Sequence, residues 1–283
     1  MYRVVESREI APKIRLLKVL APEIARKAMP GQFVILRVDE RGERFPLTIA
    51  DWEPKDGTLT LIFLEVGVST RKLGSLKEGE MILDILGPLG NPTAVRNYGL
   101  TCVIGGGVGI AAAYPVARAL KEAGNKVVSI IGARSSELLI LEKEMMDFSD
   151  ELYISTDDGS KGYRGFVSDV LKMLLQNGYK FDMVYAVGPA VMMRAVAEVT
   201  RPHKIKTIVS LNPIMVDGMG MCGSCRVTVG GRTRFACVDG PEFDAHEVDF
   251  TELIRRQSAF LREEKAALEN FERKSSLRGE ERL

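Results

Sequence analysis

Three of the four cysteines in this 283-residue chain stand close together near its end, in the segment VDGMGMCGSCRVTVGGRTRFACVDG. Cys222 and Cys225 are separated by two residues, and Cys237 follows after eleven more. Cysteines at such short spacing are typical of metal ligands in a reduced protein rather than of a disulfide framework. Four residues lie between Cys222 and Asp217, whose carboxylate can also bind a metal. The segment therefore predicts a metal centre with Asp217, Cys222, Cys225 and Cys237 as ligands.

Two kinds of metal centre are compatible with these ligands. The spacing is that of plant-type [2Fe–2S] ligation, with a carboxylate in place of the first cysteine. Glycines 218, 220 and 223 would let the loop wrap closely around a cluster, with backbone N–H groups directed at its sulfurs. The alternative is a structural zinc ion bound by the three cysteines together with Asp217 or His246. The spacing favours [2Fe–2S]. Cys102, in the middle of a predicted strand, is expected to be a buried core residue.

The composition restricts the class of protein. Apolar residues make up 46% of the chain and charged residues 27%, as in ordinary globular proteins. A net charge of +1 gives no electrostatic reason to expect nucleic acid or an anionic membrane as a partner. The sequence has no uninterrupted apolar run of about 18 residues and no signal-peptide pattern at its start. Together with the reduced thiols, these features predict a cytoplasmic protein.

The first hundred residues alternate between short apolar segments and turn residues. Four segments rich in β-branched and apolar residues are predicted to be strands: Gln32–Val38, Phe45–Asp51, Leu59–Val66 and Met81–Gly87. Regular short strands without helices predict a small antiparallel β-barrel over residues 1–97.

From residue 98 the pattern changes to strands that alternate with helices. This alternation predicts a parallel sheet in an α/β nucleotide-binding domain over residues 98–212. The metal-binding segment would then occupy residues 213–250, and a charged helix residues 251–283. Apolar residues recur at seven-residue offsets on one side of that helix: Leu253, Ile254, Phe260, Leu261, Ala267 and Leu268. Such a stripe is compatible with packing on the chain's own domains and with docking to a partner.

A glycine-rich turn follows the first strand of the α/β region, in CVIGGGVGIAAAYP. Gly107, Gly109 and Ala112 fit the pattern G-x-G-x-x-[G/A], which lets backbone N–H groups approach a dinucleotide pyrophosphate. A tight turn without a ligand is the alternative. The acidic residue expected after the second strand is absent, and Arg134 stands there instead. Because an arginine suits a 2′-phosphate, the choice between NADH and NADPH stays open.

Two further polar loops follow predicted strands of the same sheet, STDDGSKGYRGFV and AVGPAVMMRAV. Open parallel sheets bind ligands at the carboxyl ends of their strands, so we expect Asp157, Gly188 and Pro189 to contact the nucleotide. Met192 and Met193 are predicted to be core residues of the following helix.

The motifs RFPLTIAD, EVGVSTRKL and GPLGNP precede GGGVGIAAAYP and AVGP in this sequence. Their order and spacing resemble the ferredoxin–NADP reductase superfamily. The resemblance implies that the barrel binds FAD and that Thr48 lies near flavin N5. The residues implied to face the isoalloxazine are Pro46, Leu47 and Thr48, and those implied to hold the pyrophosphate are Gly67, Ser69 and Thr70. The family arginine is usually three residues before the Ser/Thr, where this chain has Phe45. Arg44, one residue earlier, is expected to reach the phosphates.

With the cysteine segment included, the chain resembles the electron-transfer subunits of dihydroorotate dehydrogenase B. The stretch SLNPIMVDGMGMCGSC, with aspartate in the first ligand position, is more similar still to the small subunits of NADH-dependent reduced ferredoxin:NADP⁺ oxidoreductase. The resemblance implies an oxidoreductase subunit that moves electrons between NAD(H), FAD and a [2Fe–2S] cluster, with no acid–base catalytic residue. It also implies a heterodimer with a larger subunit that carries flavin and [4Fe–4S] clusters. A non-catalytic nucleotide-binding module with structural zinc is the alternative of another class.

Overall fold

The computed structural model describes the backbone of residues 1–280 and the side chains of residues 1–274. The final residues of the predicted C-terminal helix, 281–283, lie outside this description. The first part of the chain contains seven strands and two short helices: β1 (Tyr2–Ala11), β2 (Ile14–Leu20), α1 (Pro22–Ala25), β3 (Phe33–Arg37), β4 (Phe45–Glu53), β5 (Thr58–Leu64), α2 (Val68–Gly74), β6 (Met81–Ile82) and β7 (Asp84–Leu89).

These strands form the predicted antiparallel barrel, in the order β6-β1-β2-β5-β4-β3-β7. The segment Met81–Gly87, predicted to be one strand, is divided between β6 and β7. Although consecutive in sequence, β6 pairs with β1 at one edge and β7 with β3 at the other. The chain therefore connects the two edges and nearly closes the barrel, which leaves few backbone groups unpaired. Alternate side chains of the strands fill an apolar interior.

The second part of the chain forms the predicted α/β region. Its elements are β8 (Leu100–Gly106), α3 (Ile110–Glu122), β9 (Lys126–Ala133), α4 (Glu142–Asp147), β10 (Glu151–Thr156), β11 (Tyr163–Arg164), α5 (Val167–Gln176), β12 (Met183–Val187), α6 (Ala190–Thr200) and β13 (Lys206–Ser210). The strands are parallel in the order β11-β10-β9-β8-β12-β13. Because β8 has β9 on one side and β12 on the other, the strand order reverses there. A ligand crevice is expected at the carboxyl ends of β8 and β12.

The metal-binding segment follows β13 and packs against the same sheet. It contains β14 (Arg226–Val229), β15 (Arg232–Phe235), α7 (Ala236–Asp239) and β16 (Glu242–Asp244). Strands β14 and β15 form a hairpin, while β16 pairs antiparallel with β13 and becomes the last strand of the sheet. Buried side chains of the segment, among them Cys225 and Cys237, are continuous with the core beneath α5 and α6. The segment is thus attached to the α/β region through both backbone and core.

The predicted C-terminal helix consists of two helices, α8 (Phe250–Gln257) and α9 (Leu261–Glu280). Leu253 is 1% exposed and packs into the core, whereas Phe260 is 54% and Leu261 57% exposed. The apolar stripe is therefore used by the chain itself in α8 but not at the start of α9. Further along α9, the carboxylate of Glu272 contacts Arg71 of α2 at 2.5 Å. Within residues 1–280, no helix combines the length and apolar character needed to cross a membrane.

Candidate functional site

The turn between β8 and α3 contains the predicted nucleotide glycines. Gly107 has φ of 57°, a left-handed conformation that favours glycine, and a Cβ there would meet no atom within 4 Å. By contrast, a Cβ at Gly109 would lie 2.6 Å from the carbonyl oxygen of Val187. The start of α3 therefore packs directly on the end of β12, with open space in front of Gly107. This arrangement fits a pyrophosphate held by backbone N–H groups.

The loop after β12 forms the opposite wall of this crevice. Gly188 has φ of 157°, and Pro189 precedes the first residue of α6. Met193 is fully buried, as predicted for a core residue. Met192 is half-buried, and its thioether fills the space that a side chain at Gly106 or Gly188 would need. Met192 therefore lies at the crevice as well as against the core, a position that helical periodicity does not reveal.

Arg134 and Asp157 lie at the carboxyl ends of the neighbouring strands β9 and β10. Both side chains are exposed. The two loops are joined by backbone hydrogen bonds, since Asp157 N donates to Ala133 O at 3.1 Å and Asp158 N donates to Arg134 O at 3.2 Å. The structure thus brings Arg134 and Asp157 to the sheet edge that also holds Gly107 and Gly188.

Strand β4 divides the predicted flavin-facing residues between its two faces. Phe45 and Leu47 pack against the barrel interior. Because successive side chains of a strand alternate, Pro46 and Thr48 lie on the other face, where both are half-buried. Thr48 is paired with Phe33 of β3, so its position is determined by the barrel register. Leu47 supports the strand from inside rather than facing outward with its neighbours.

Arg44 immediately precedes β4, and its side chain is exposed. The barrel strand begins at Phe45, which pairs with Leu36. The structure therefore places Arg44 at the entrance of the strand that carries Pro46 and Thr48.

The predicted phosphate loop begins helix α2. Thr70 Oγ1 accepts hydrogen bonds from Val66 N and Gly67 N, both at 3.0 Å, and donates to Gly67 O at 3.1 Å. The hydroxyl of Thr70 thus holds the shape of the loop. Ser69 is half-buried, and a Cβ at Gly67 would meet nothing within 4 Å. With no acidic residue in the first turn, this loop fits an anion.

The three cysteines of the metal-binding segment differ in environment. Cys225 and Cys237 are buried, with their Sγ atoms 3.2 Å apart. Cys222 is exposed, and its Sγ lies 2.9 Å from Ser224 Oγ. The hydrogen bond from Ser224 lowers the pKa of Cys222, whereas burial raises the pKa of Cys237 to about 12. The thiol of Cys222 therefore becomes a thiolate more readily than the thiol of Cys237.

Asp217 begins the loop and bonds to its backbone. Its Oδ1 accepts from Met219 N at 2.9 Å, and its Oδ2 accepts from Met221 N at 3.1 Å and from Cys222 N at 2.7 Å. Burial tends to raise the pKa of Asp217, but these N–H groups outweigh it and the pKa lies below its usual value. A carboxylate has about four lone-pair sites, so Oδ1 keeps one that is free of these bonds.

The four side chains therefore lie as two pairs, Asp217 with Cys222 and Cys225 with Cys237. Two thiolates that bind one metal ion at about 2.3 Å must lie within about 4 Å of each other, which Cys225 and Cys237 already do. In the part of the chain that the structure describes, no group of three or more His, Cys, Asp or Glu side chains could hold one metal ion. Two pairs of donors fit a two-iron cluster better than a single tetrahedral zinc.

His246, the alternative zinc ligand, lies away from the cysteine loop. Its Nε2 is 3.0 Å from Thr200 Oγ1, and its backbone carbonyl accepts from Arg201 Nη2 at 2.9 Å. The imidazole therefore bonds to the end of α6. A zinc site that includes His246 has no support in this arrangement.

Two stretches of the chain match models of protein families. Residues 103–198 match the oxidoreductase NAD-binding domain, and residues 212–249 match the iron–sulfur cluster binding domain of dihydroorotate dehydrogenase B. The Thermotoga maritima homologue of the dihydroorotate dehydrogenase B (NAD(+)) electron transfer subunit is 47% identical over 269 residues, which cover 93% of this chain and 95% of that protein. The electron transfer subunit from Geobacillus thermodenitrificans is 35% identical over 254 residues, covering 87% and 96%.

The chain belongs to the family of dihydroorotate dehydrogenase B electron transfer subunits and their homologues. A solved structure of NADH-dependent reduced ferredoxin–NADP oxidoreductase superposes on this electron transfer subunit with a TM-score of 0.91 at 46% identity. The match covers 96% of this chain and 98% of that one. An Amycolatopsis cytochrome P450 reductase, 24% identical with a TM-score of 0.61, shares the fold over 72% of this chain and 66% of its own.

The predicted class of this electron transfer subunit is confirmed. It is an oxidoreductase subunit with a ferredoxin reductase-like barrel, an NAD-binding domain and an iron–sulfur cluster-binding segment. The individual ligands in each site stay predictions.

One feature of the site was missed from the sequence. Asn91, in the motif GPLGNP, donates from its backbone N to Gly240 O at 2.7 Å and from Nδ2 to Val238 O at 3.1 Å. This asparagine joins the barrel to the residues that follow Cys237. The motif contributed to the resemblance to the ferredoxin–NADP reductase superfamily, but no local pattern reveals a contact over such a distance in sequence.

Proposed function

We propose that this chain takes electrons from NAD(H) and passes them through FAD and a [2Fe–2S] cluster to a larger partner subunit. The observation that carries the proposal is the arrangement of Asp217, Cys222, Cys225 and Cys237 as two pairs of donors in a family of electron transfer subunits. When bound, FAD takes two electrons from nicotinamide and the cluster carries them one at a time. The protein's part is to bind and orient these groups.

In the barrel, we assign Thr48 and Pro46 to the flavin ring and the N–H groups of the loop at Gly67–Ser69 to the pyrophosphate. Thr70 shapes that loop, and Arg44 supplies positive charge near the phosphates. In the crevice, we assign Gly107 to the nucleotide pyrophosphate and Gly109 to the close packing of α3 on β12 beside it, with Gly188 and Pro189 on the opposite wall. Arg134 and Asp157 border the same edge. The open space at Gly67 and Gly107 and the close packing at Gly109 support these roles.

In the metal-binding segment, Asp217 and Cys222 would bind one iron, and Cys225 and Cys237 the other. The free lone pair on Asp217 Oδ1 supports ligation without loss of the loop's hydrogen bonds. The buried pair and the more exposed pair would give the two irons different surroundings. Backbone N–H groups near the sulfurs would further tune the reduction potential.

The partner that we favour is a larger flavin and [4Fe–4S] subunit, as in NADH-dependent reduced ferredoxin–NADP oxidoreductase, and we place the complex in the cytoplasm. The 46% identity and TM-score of 0.91 support this choice. The alternative is the dihydroorotate dehydrogenase B complex, supported by the family's curated members. Asp217 favours the first, since the first ligand of the second group is a cysteine. Co-expression with each type of large subunit distinguishes them, because only the true partner co-purifies in stoichiometric amount.

The proposed cofactors can be tested on protein purified without oxygen. We expect flavin and iron–sulfur absorption bands, FAD on extraction, and two irons with two acid-labile sulfides per chain. Addition of NADH should bleach the flavin band and produce the EPR signal of a reduced [2Fe–2S] cluster. A colourless protein that contains zinc would contradict the proposal and support the nucleotide-binding module.

A further inference from the structure

The barrel and the metal-binding segment meet at a junction that we call the barrel–segment joint, residues 90–93 and 238–242. Asn91 N donates to Gly240 O at 2.7 Å, and Asn91 Nδ2 donates to Val238 O. On the sheet side, Leu211 N donates to Pro241 O at 2.9 Å. The segment is therefore hydrogen-bonded to the barrel on one side and to the α/β sheet on the other.

Glu242 lies inside this joint. Thr93 Oγ1 donates to Glu242 Oε1 at 2.5 Å, and a Cβ at Gly31 would lie 2.5 Å from the same carboxyl oxygen. The fully buried Tyr185 of β12 also interacts with this carboxyl through its hydroxyl. One side chain thus contacts the barrel, the parallel sheet and, through its own backbone, the metal-binding segment.

The surroundings of Glu242 favour its neutral form. From the barrel it faces Thr93 and Gly31, and from the sheet it faces Tyr185 and, beyond it, Ser210. None of these four neighbouring residues carries a positive charge. Burial without a cation disfavours the carboxylate and raises the pKa of Glu242. Burial raises the pKa of Tyr185, and the nearby carboxyl of Glu242 raises it further, so the phenol keeps its proton.

We propose that Glu242 is a positioning residue: its carboxyl group, bonded to Thr93 of the barrel and to Tyr185 of the sheet, locks the metal-binding segment against the barrel and thereby keeps the path between flavin and cluster at a constant length. The neutral acid carries one O–H donor as well as acceptor oxygens, so it can bond to Thr93 and Tyr185 at the same time. Ionisation would place an unpaired negative charge between the two units. This inference rests on the proposed function, since it assumes FAD in the barrel and a cluster in the segment.

Three variants separate the neutral acid from other roles. Glu242→Gln keeps the shape of the side chain and a neutral group that both donates and accepts hydrogen bonds. Glu242→Leu removes both hydrogen bonds. Glu247→Gln changes an exposed glutamate of the same segment and serves as a control. In stopped-flow reduction by NADH, we expect all three to reduce the flavin at the wild-type rate. Glu242→Leu should slow the subsequent reduction of the cluster by about tenfold or more, because small displacements of reacting groups have large effects on rate.

The dependence on pH gives a second readout. Since the pKa of Glu242 is raised in the folded protein, the neutral form persists above the usual glutamate range and is lost as the pH rises through the raised value. Wild-type electron transfer to the cluster should therefore slow at high pH, and Glu242→Gln should remove that decline. A Gln variant as slow as the Leu variant would mean that the carboxylate is the required form and would overturn the proposal.

A third readout does not depend on activity. At a pH below the raised pKa of Glu242, infrared absorption should contain the carbonyl stretch of a protonated carboxylic acid, and this band should be missing in Glu242→Gln. Hydrogen exchange at the backbone amides of Asn91 and Leu211 should accelerate in Glu242→Leu, with or without cofactors. Wild-type exchange and wild-type cluster reduction in the Leu variant would refute the positioning role. A wild-type protein in which NADH never reduces the cluster would instead refute the proposed function.

Discussion

Cys225 and Cys237 lie with their Sγ atoms 3.2 Å apart, although eleven residues separate them in the sequence. The hairpin β14–β15 returns the chain so that Cys225 O accepts a hydrogen bond from Ala236 N. Cys222 and Asp217 are associated in a different way, through the backbone N–H of the cysteine. The segment therefore holds the four predicted ligands as one buried pair and one more exposed pair.

Asp217 has a structural role in the loop and a proposed role as iron ligand, and substitutions separate them. Asp217→Cys should keep two irons per chain while shifting the EPR signal and midpoint potential, because thiolate donates more covalently than carboxylate. Asp217→Ala should lose or destabilise the cluster. The control is Asp239→Ala, since Asp239 also accepts from a backbone N–H, that of Phe235 at 2.7 Å, but stands outside the ligand spacing. Iron content, EPR and potential that are identical in all variants would exclude Asp217 as a ligand.

In the phosphate loop, Ser69 and Thr70 are expected to respond differently to substitution. Ser69→Asp should release FAD, because it adds a negative charge beside the pyrophosphate. Thr70→Val should remove the bonds to Val66 N and Gly67 N and destabilise the loop by about 1 kcal/mol, whereas Thr70→Ser keeps them. FAD retained after gel filtration and the midpoint of denaturant unfolding measure the two effects. Full FAD occupancy in Ser69→Asp would argue against flavin binding at this loop.

Arg134 allows the choice of nicotinamide cofactor to be tested. If the guanidinium bonds to a 2′-phosphate, Arg134→Gln should raise KM for NADPH by about tenfold to a hundredfold, equivalent to a charged hydrogen bond of about 1.5–3 kcal/mol. The KM for NADH should change little. Arg164→Gln, which alters an exposed arginine of the edge strand β11, serves as a control. Equal KM values for NADPH in wild type and Arg134→Gln would show that Arg134 does not bind the 2′-phosphate.

The two C-terminal helices should differ in their contribution to stability. Leu253→Ala removes a buried side chain and should lower the free energy of unfolding by about 2–5 kcal/mol. Phe260→Ala, at an exposed position, should change it by no more than about 0.5 kcal/mol. Denaturant unfolding measures both.

The exposed start of α9 can be tested as a docking site. Truncation after Gln257 keeps α8 and should leave folding intact. It should weaken association with the large subunit if Phe260 and Leu261 contact the partner. Co-purification at the wild-type level would mean that α9 serves only its own chain, through contacts such as that between Arg71 and Glu272.

Local patterns in the sequence determined the class of fold and the candidate ligands. Some features involve only residues that are close together in sequence, so the sequence reveals them directly. They are the strand alternation, the glycine turn at Gly107–Gly109 and the spacing from Asp217 to Cys237. Three barrel strands, β3, β4 and β5, were predicted for the same reason, whereas β1 and β2 were not predicted and the segment Met81–Gly87 is divided between two strands. The single C-terminal helix was predicted incorrectly in part, since heptad offsets do not reveal which turns find a core to pack against.

Only the tertiary structure decided on which face of its element each candidate side chain lies and which of them bond to the protein's own backbone. The barrel register turns Leu47 inward and leaves Thr48 on the other face. In the loop before α2, the hydroxyl of Thr70 accepts a hydrogen bond from Gly67 N. The contact between Thr93 and Glu242 joins residues that lie 149 positions apart. Such contacts arise when distant parts of the chain meet, and their energies depend on burial and hydrogen-bond partners that no local pattern encodes.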